Sequence, residues 1–440
     1  MNGYLLKQSS SGIYCSLDGG LFMKEKQVFV RNLQYYKFCA YGFLKDLRFY
    51  EPFIMLVFLG KGLSFVQIGT LYAVREIFIN VMEIPSGLLA DTMGRRLTMI
   101  ASFASYIFSF LIFYAAQDFK ILLLAMIAYA FGDAFRTGTH KAMIFDYLHM
   151  NGWDDQRTHY YGHTRAWSQR GAALSALIAA FLVFWQGSYA PIFLFTIIPY
   201  VLNMVLILSY PKALDGPRHT SDRTLKQEFT KVARSLLDSL KNGKMLKAIS
   251  SQALLSGYYK AFKDYLQPIL KAFTLSLPIL LGLAEQERTA IMIGIVYFLL
   301  YLSTAFASSR SGKFSERFKE LATPLNLTLL VGLVLGLLSG LFLHLSFSAI
   351  AVLLYLGIYL LENLRKPMGI AYVSSHMKQD SLASALSVES QVESIFAAVI
   401  AMLLGFFSTL FGIGLGILIV SALCLVVSFF LQLQKKESAV

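Results

Sequence analysis

Apolar residues run on along this chain in long stretches, each closed by a short polar passage. Twelve such segments lie near residues 40–60, 66–89, 97–117, 121–145, 163–185, 190–209, 248–270, 290–309, 324–343, 348–368, 386–407 and 411–432. Each approaches or exceeds the roughly 18 residues that a helix needs to cross ~30 Å of hydrocarbon. A transmembrane barrel would show ~10-residue alternating segments instead. The pattern therefore predicts an all-α integral membrane protein with twelve transmembrane helices, here numbered spans 1 to 12.

Composition agrees: 56% of the 440 residues are hydrophobic and 15% are charged, against about 25% charged in a soluble domain. Of the 39 Lys and Arg, 24 fall in the tails and alternate loops when the N-terminus is placed inside, and only 4 in the opposite loops. By the positive-inside rule both termini are expected in the cytoplasm. The net charge of +13 then reads as topology and contact with anionic lipid rather than as a nucleic-acid footprint. The first 35 residues form a polar tail, within which Met23 is a possible alternative start, and no cleavable secretory signal is expected. Cys15, Cys39 and Cys424 are too scattered for a metal motif and read as small hydrophobes.

Residues 210–247 are the one long polar insertion, with nine Lys or Arg against four acids. Within it Leu225, Phe229, Val232, Leu236 and Leu240 fall at helical spacing among basic residues, which predicts an amphipathic helix on the membrane surface. The chain divides into a tail (1–35), a six-helix half (36–209), this linker (210–247), a second half (248–432) and a tail (433–440). Weak internal repeats connect the halves. FYEPFI at 49–54 resembles YLQPIL at 265–270, offset by 216; Ile68, Gly69 and Tyr72 match Ile293, Gly294 and Tyr297, offset by 225; Gly87 and Asp91 match Gly312 and Glu316 at the same offset; Asp133 and Arg136 match Glu362 and Arg365, offset by 229.

Between spans 2 and 3 stands GLLADTMGRR, with Gly87, Asp91, Gly94, Arg95 and Arg96. Gly87 is expected to admit a close neighbouring helix and Gly94 to permit a tight turn. With twelve helices and a central linker, this stretch resembles the G-x-x-x-D-x-x-G-R-[RK] motif of the major facilitator superfamily of secondary transporters. EIPSG (83–87) and GTHKAMIFDYL (138–148) resemble a bacterial branch. The resemblance implies that this motif latches the outward-facing state through Asp91, that spans 1, 4, 7 and 10 line a central cavity, and that spans 3, 6, 9 and 12 are outer supports. Glycines of the supports, such as Gly332, Gly336 and Gly340, then read as packing notches. The second-half copy of the motif, SGKFSERF, keeps Gly312 and Glu316 but lacks the second glycine.

Eleven basic and ten acidic residues fall inside the spans, each costing roughly 2.5–3.5 kcal/mol at a helix centre if it faced lipid. Each of the four expected cavity helices carries both signs at helical spacing: Arg48 with Glu51, Asp133 with Arg136, Lys260 with Asp264, and Glu362 with Arg365. Each pair has two readings. It is an internal tie between helices, or its basic member clamps an anionic group of a substrate while its acid takes up and releases a proton. On the second reading the substrate residues are Arg48, Arg136, Lys263, Arg365 and Tyr259, and the proton-coupling acids are Glu51, Asp133, Asp264 and Glu362. Arg165 joins Gly87, Asp91, Gly94, Arg95 and Arg96 in a gate. His140 and His163 read as structural histidines or pH sensors. Pro52 and Pro268 are expected to bend spans 1 and 7.

No Walker A sequence, HExxH, CxxC pair or GxSxG appears, so neither an ATP-driven pump nor an enzyme is expected, and no cofactor or metal. The reading is a proton-coupled secondary transporter working by alternating access, a monomer in the bacterial cytoplasmic (inner) membrane, moving a small organic anion or zwitterion. Proton-antiport efflux of lipophilic drugs is the alternative.

Overall fold

In the computed structural model, residues 30–153, 156–215, 230, 243–375 and 379–433 are described, with four short strands between residues 8 and 22. The strands form two small ladders, Gln8–Ser9 with Gly12–Ile13 and Cys15–Leu17 with Gly20–Phe22. The rest of the described chain is helix and turn. The expected amphipathic helix at 225–240 lies outside the described residues, as do the side chains of Asp91 and of residues 379–387.

Helix α1 (Leu33–Lys45) starts where the Asn32 side chain accepts the Tyr35 N–H at 3.1 Å. The chain then leaves helical geometry through residues 46–53 and resumes as α2 (Ile54–Gly60). Pro52 sits in the gap, lacking the N–H that a continuous helix would need there. Span 1 is thus two helices, broken rather than bent. Helix α3 (Phe65–Met93) opens on a capping box in which Ser64 and Gln67 satisfy each other's backbone donors. It stops at Gly94, whose φ of +96° only glycine adopts easily, and α4 (Arg95–Ala115) follows at once.

The segment expected as one helix over 121–145 is also interrupted. It divides into α5 (Phe119–Arg136) and α6 (Thr139–Met150) at Gly138, where φ is +85°. Next come α7 (Arg157–Gln186), α8 (Ile192–Leu208) and a 3-10 turn, Lys212–Asp215. Helix α9 (Gly243–Phe262) tightens into a 3-10 turn, Lys263–Tyr265, before α10 (Leu266–Ser276). Then follow α11 (Glu285–Ser315), α12 (Ala322–His344), α13 (Ser348–Ser375) and α14 (Gln379–Phe430), which is interrupted at Gly412 (φ 84°, ψ 164°).

Among the described residues seven helices are long and apolar enough to cross a membrane. Their outer faces carry exposed large apolar side chains, including Phe181, Trp185, Leu353, Phe406 and Phe430, a surface far greasier than water tolerates over so wide an area.

Close helix contact depends on small residues. A Cβ on Gly69 of α3 would lie 2.4 Å from the Ala401 carbonyl oxygen and 3.2 Å from Gly405 Cα, both on α14. A Cβ on Gly294 of α11 would lie 2.4 Å from Ala180 Cβ on α7. The two glycines, 225 residues apart, perform the same task. Gly332, Gly336 and Gly340 are notches too, against Leu255, Tyr258 and Leu418. Gly87 is not: nothing lies within 4 Å of a Cβ placed there, so the close approach expected at that glycine is absent.

Candidate functional site

The two interruptions, 46–53 and 263–265, face each other. Chain that leaves helical geometry in an apolar interior exposes backbone groups that must find partners. Side chains from the opposite element supply them. Gln267 Oε1 accepts the Met55 N–H at 2.8 Å, and Gln267 Nε2 donates to the Glu51 carbonyl at 2.9 Å. Tyr355 and Tyr359 of α13, one turn apart, donate their hydroxyls to the carbonyls of Phe262 and Lys263.

Between these segments, α3, α5, α9 and α14 lies a cavity of about 360 Å³. Its wall carries four cations, Arg48, Arg75, Lys260 and Lys263, and five carboxylates, Glu51, Glu76, Glu83, Asp133 and Asp264. Lys263 lies 2.8 Å from Glu51 and 3.4 Å from Asp264. Arg48 lies 3.8 Å from Glu51 and 3.4 Å from Asp46. Arg75 holds Glu76 at 3.0 Å, and Lys260 stands between Glu76 at 3.5 Å and Glu393 of α14 at 3.0 Å. Every cation on the wall is therefore paired. Tyr50 and Tyr129, with hydroxyls 2.8 Å apart, line the aromatic side, where Tyr50 stacks on Phe193 and lies tilted against Phe110, and Tyr129 meets Tyr106 edge to face.

Of the residues expected to meet substrate, Arg48, Lys263 and Tyr259 are on the wall. Arg136 stands behind it, 2.5 Å from Asp133 and donating to the Tyr106 hydroxyl at 3.2 Å, while that hydroxyl donates to Asp133 at 2.7 Å. Arg365 is elsewhere. It is wholly buried and donates to the carbonyls of Leu325 and Ser251 and to the hydroxyls of Thr328 and Ser251. Its expected pairing with Glu362 is absent among the described ion pairs, because both terminal nitrogens are turned to those carbonyls and hydroxyls, while Glu362 Oε1 accepts from Ser256 Oγ at 2.6 Å.

The expected Lys260–Asp264 pair is absent as well. The 3-10 turn between them changes the rotation per residue and takes the two side chains off a common face. Glu51, Asp133 and Asp264 are on the wall; Glu362 is not. Sequence reasoning did not select Arg75, Glu76, Lys260 and Glu393 as a unit. They were visible as charges in apolar runs, but nothing in the chain order couples residue 76 to 260 and 393.

Around the 87–96 motif, Arg95 pairs with Asp146 of α6. Arg96 grips Asp215, accepting ends at 3.0 and 3.1 Å from its Nε, and donates to the Tyr210 carbonyl at 2.8 Å. The motif is thereby tied to α6 and to the start of the linker. Arg165 is exposed on α7. His140 is buried, stacked on Tyr41 with ring centres 3.5 Å apart and 3.2 Å from the Tyr210 hydroxyl; His163 is exposed.

Comparison with known proteins follows the same lines. A family model described as Major Facilitator Superfamily matches residues 47–388. An uncharacterized MFS-type transporter, YxaM of Bacillus subtilis (strain 168), is 33% identical over 92 residues, a match that spans 21% of this chain and only 23% of that protein. Among solved structures, nucleoside transporter NupG superposes with a TM-score of 0.67 at 14% identity, covering 91% of this chain and 96% of that one. A POT family transporter in complex with a thioalcohol-conjugated peptide gives 0.68 at 14%, covering 90% and 95%. A bacterial homolog of the human lysosomal transporter Spinster, inward-facing and unoccupied, gives 0.66 at 15%, covering 91% and 97%. Identities this low speak for the fold alone. With the motif at 87–96, the long apolar helices and a family match over most of its length, the chain belongs to the Major Facilitator Superfamily and is a multi-pass membrane transporter.

Proposed function

We propose that this protein is a proton-coupled secondary transporter of small zwitterions or organic anions, with twelve spans in two six-helix halves rocking about the cavity. The loop charge asymmetry supports cytoplasmic termini in a bacterial inner membrane. On that topology the α3–α14 and α7–α11 glycine contacts, at Gly69 and Gly294, close the outer face. The conformation is then the inward-facing one.

The observation that carries the substrate reading is the paired wall. Lys263 with Glu51 and Lys260 with Glu76 join the N-terminal segments to α9 and the turn after it. A lone anion that captured Lys263 would leave Glu51 with only the more distant Arg48, at 3.8 Å, and take from Asp264 its contact at 3.4 Å, in a partly dehydrated site, at a cost that offsets much of what it gained. A zwitterion offers an ammonium to the carboxylate and a carboxylate to the lysine, so both charges stay compensated. Coupling is assigned to Glu51, Asp133 and Asp264, whose carboxyls can lose a counterion when the halves move, and to Glu362, which is buried without one among the described ion pairs.

The test is a thermal-shift screen of the purified protein with zwitterions, anions and lipophilic cations, where a ligand at 100 times its dissociation constant adds ~2.7 kcal/mol. Zwitterion stabilisation that Lys263→Gln removes is the expected result. Stabilisation by lipophilic cations alone would replace this reading with drug efflux. For coupling, Glu51→Gln should abolish flux driven by a pH gradient while substrate exchange continues; unchanged driven flux would remove Glu51 from the set.

A further inference from the structure

A second acidic group lies off the cavity, where α9, α13 and α14 meet. Glu362 is 3% exposed and Glu389 is 7% exposed. Ser256 satisfies Glu362 Oε1 at 2.6 Å, yet Glu362 Oε2 and Glu389 Oε2 are both buried with no hydrogen-bond partner among the described residues. Glu393, on the same face of α14 as Glu389 and one turn on, pairs with Lys260 at 3.0 Å.

The surroundings offer these two oxygens little. Arg365, in the same neighbourhood, directs both terminal nitrogens of its guanidinium to the Leu325 and Ser251 carbonyls and to the hydroxyls of Ser251 and Thr328, while its Nε, also buried, reaches neither carboxylate oxygen. Lys366, the next residue on α13, is exposed. From α9 come Ser256 and Lys260, and from α3 come Glu76, on Lys260 at 3.5 Å and on Arg75 at 3.0 Å, Glu83, which shares the cavity wall with Lys260, and Asn80, which donates to the Gln391 carbonyl at 3.0 Å. Helix α12, also packed on α14, has His344 at its far end as its only titratable residue.

A buried carboxylate oxygen without a donor is costly, and two beside a third acid more so. A proton removes much of the cost at once: it adds to one Oε2 and cancels that charge.

The geometry points to Glu362 and Glu389 as proton-binding acids that control whether Lys260 stays with Glu76. With the proton bound, Glu393 alone competes for Lys260 from the α14 side, and the ammonium bridges to α3. When the proton leaves to water, one more negative charge stands beside Glu393, and Lys260 is drawn from Glu76 toward α14. The contact between α3 and α9 loosens, so proton release acts on the junction that must open. This site rests on the proton-coupled reading and adds Glu389 to it.

Infrared difference spectroscopy of the full chain in nanodiscs, taken between acidic and alkaline buffer, tests it without knowledge of the substrate. A protonated-carboxyl band that titrates in the unaltered protein should be lost in Glu389→Gln and in Glu362→Gln. Glu389→Asp, which restores a titratable group, should bring back a shifted band and guards against misfolding of the amide variants. A band untouched by both amide substitutions but lost in Asp133→Asn overturns this site while leaving proton coupling in place. No titrating carboxyl band in any form overturns both.

Discussion

Lys263 Nζ lies 2.8 Å from Glu51 Oε1, and this contact joins two of the places where the chain gives up regular helix, 46–53 and 263–265. Neither group is in bulk water, with about a quarter or less of each side chain exposed. Lys263→Gln should destabilise the protein by about 1–3 kcal/mol, less than a fully isolated pair because Arg48 still serves Glu51 at 3.8 Å. A thermal double-mutant cycle with Glu51→Gln should show coupling of about 0.5–3 kcal/mol. Strict additivity would mean that the two residues are bystanders to one another.

The glycine contacts make a graded prediction. Gly69→Ala drives a methyl to 2.4 Å from a backbone oxygen that cannot swing away, and Gly294→Ala places one 2.4 Å from Ala180 Cβ. Each should cost about 1–3 kcal/mol by overpacking and lower the melting temperature. Gly87→Ala meets open space and should leave stability within about 0.5 kcal/mol or raise it slightly. Equal effects at all three would contradict the packing described.

Arg96 and Asp215 form the tie between the 87–96 motif and the linker. Arg96→Gln or Asp215→Asn should speed amide hydrogen exchange in the Lys212–Asp215 turn by several-fold or more, while exchange in α12 stays unchanged. Unchanged protection of that turn would show that the ion pair is ornamental.

Gln267 supplies both partners that the broken span 1 requires, at Met55 and Glu51. Gln267→Leu keeps the bulk and removes both bonds. The expected loss is about 1–3 kcal/mol for each group left unpaired, with faster exchange at the Met55 amide. Gln267→Glu, which can accept but not donate while ionised, should preserve the Met55 bond and lose the Glu51 one.

Much of this architecture was legible in the chain. Apolar runs located most of the helices because a membrane span must satisfy every backbone group internally, and that demand imprints length and composition together. Gly94 announced its turn and the notch glycines of α12 announced their packing. Breaks were harder to read. Pro52 and Pro268 marked the right neighbourhoods, but whether proline bends a helix or ends it depends on side chains that rescue the freed backbone groups, and Gln267 lies more than two hundred residues from Met55. Gly138 carried no such warning inside GTHKAM. Charge pairing was legible only where local geometry decides it, as for Asp133 and Arg136; Lys260, Glu76 and Glu393 meet only in three dimensions. Arg365 misled for a related reason, because a buried guanidinium surrounded by helix carbonyls has the same sequence signature as one facing a cavity.

The hydroxyls of Tyr355 and Tyr359 hold the carbonyls of Phe262 and Lys263, yet α13 contributes nothing to the cavity wall. A tilt or slide of α13 therefore carries with it the turn that presents Lys263, as a handle moves a blade it never touches. The position of the lysine in the cavity is set from outside the cavity, and sequence changes along α13 can retune the site without altering any residue that a substrate meets.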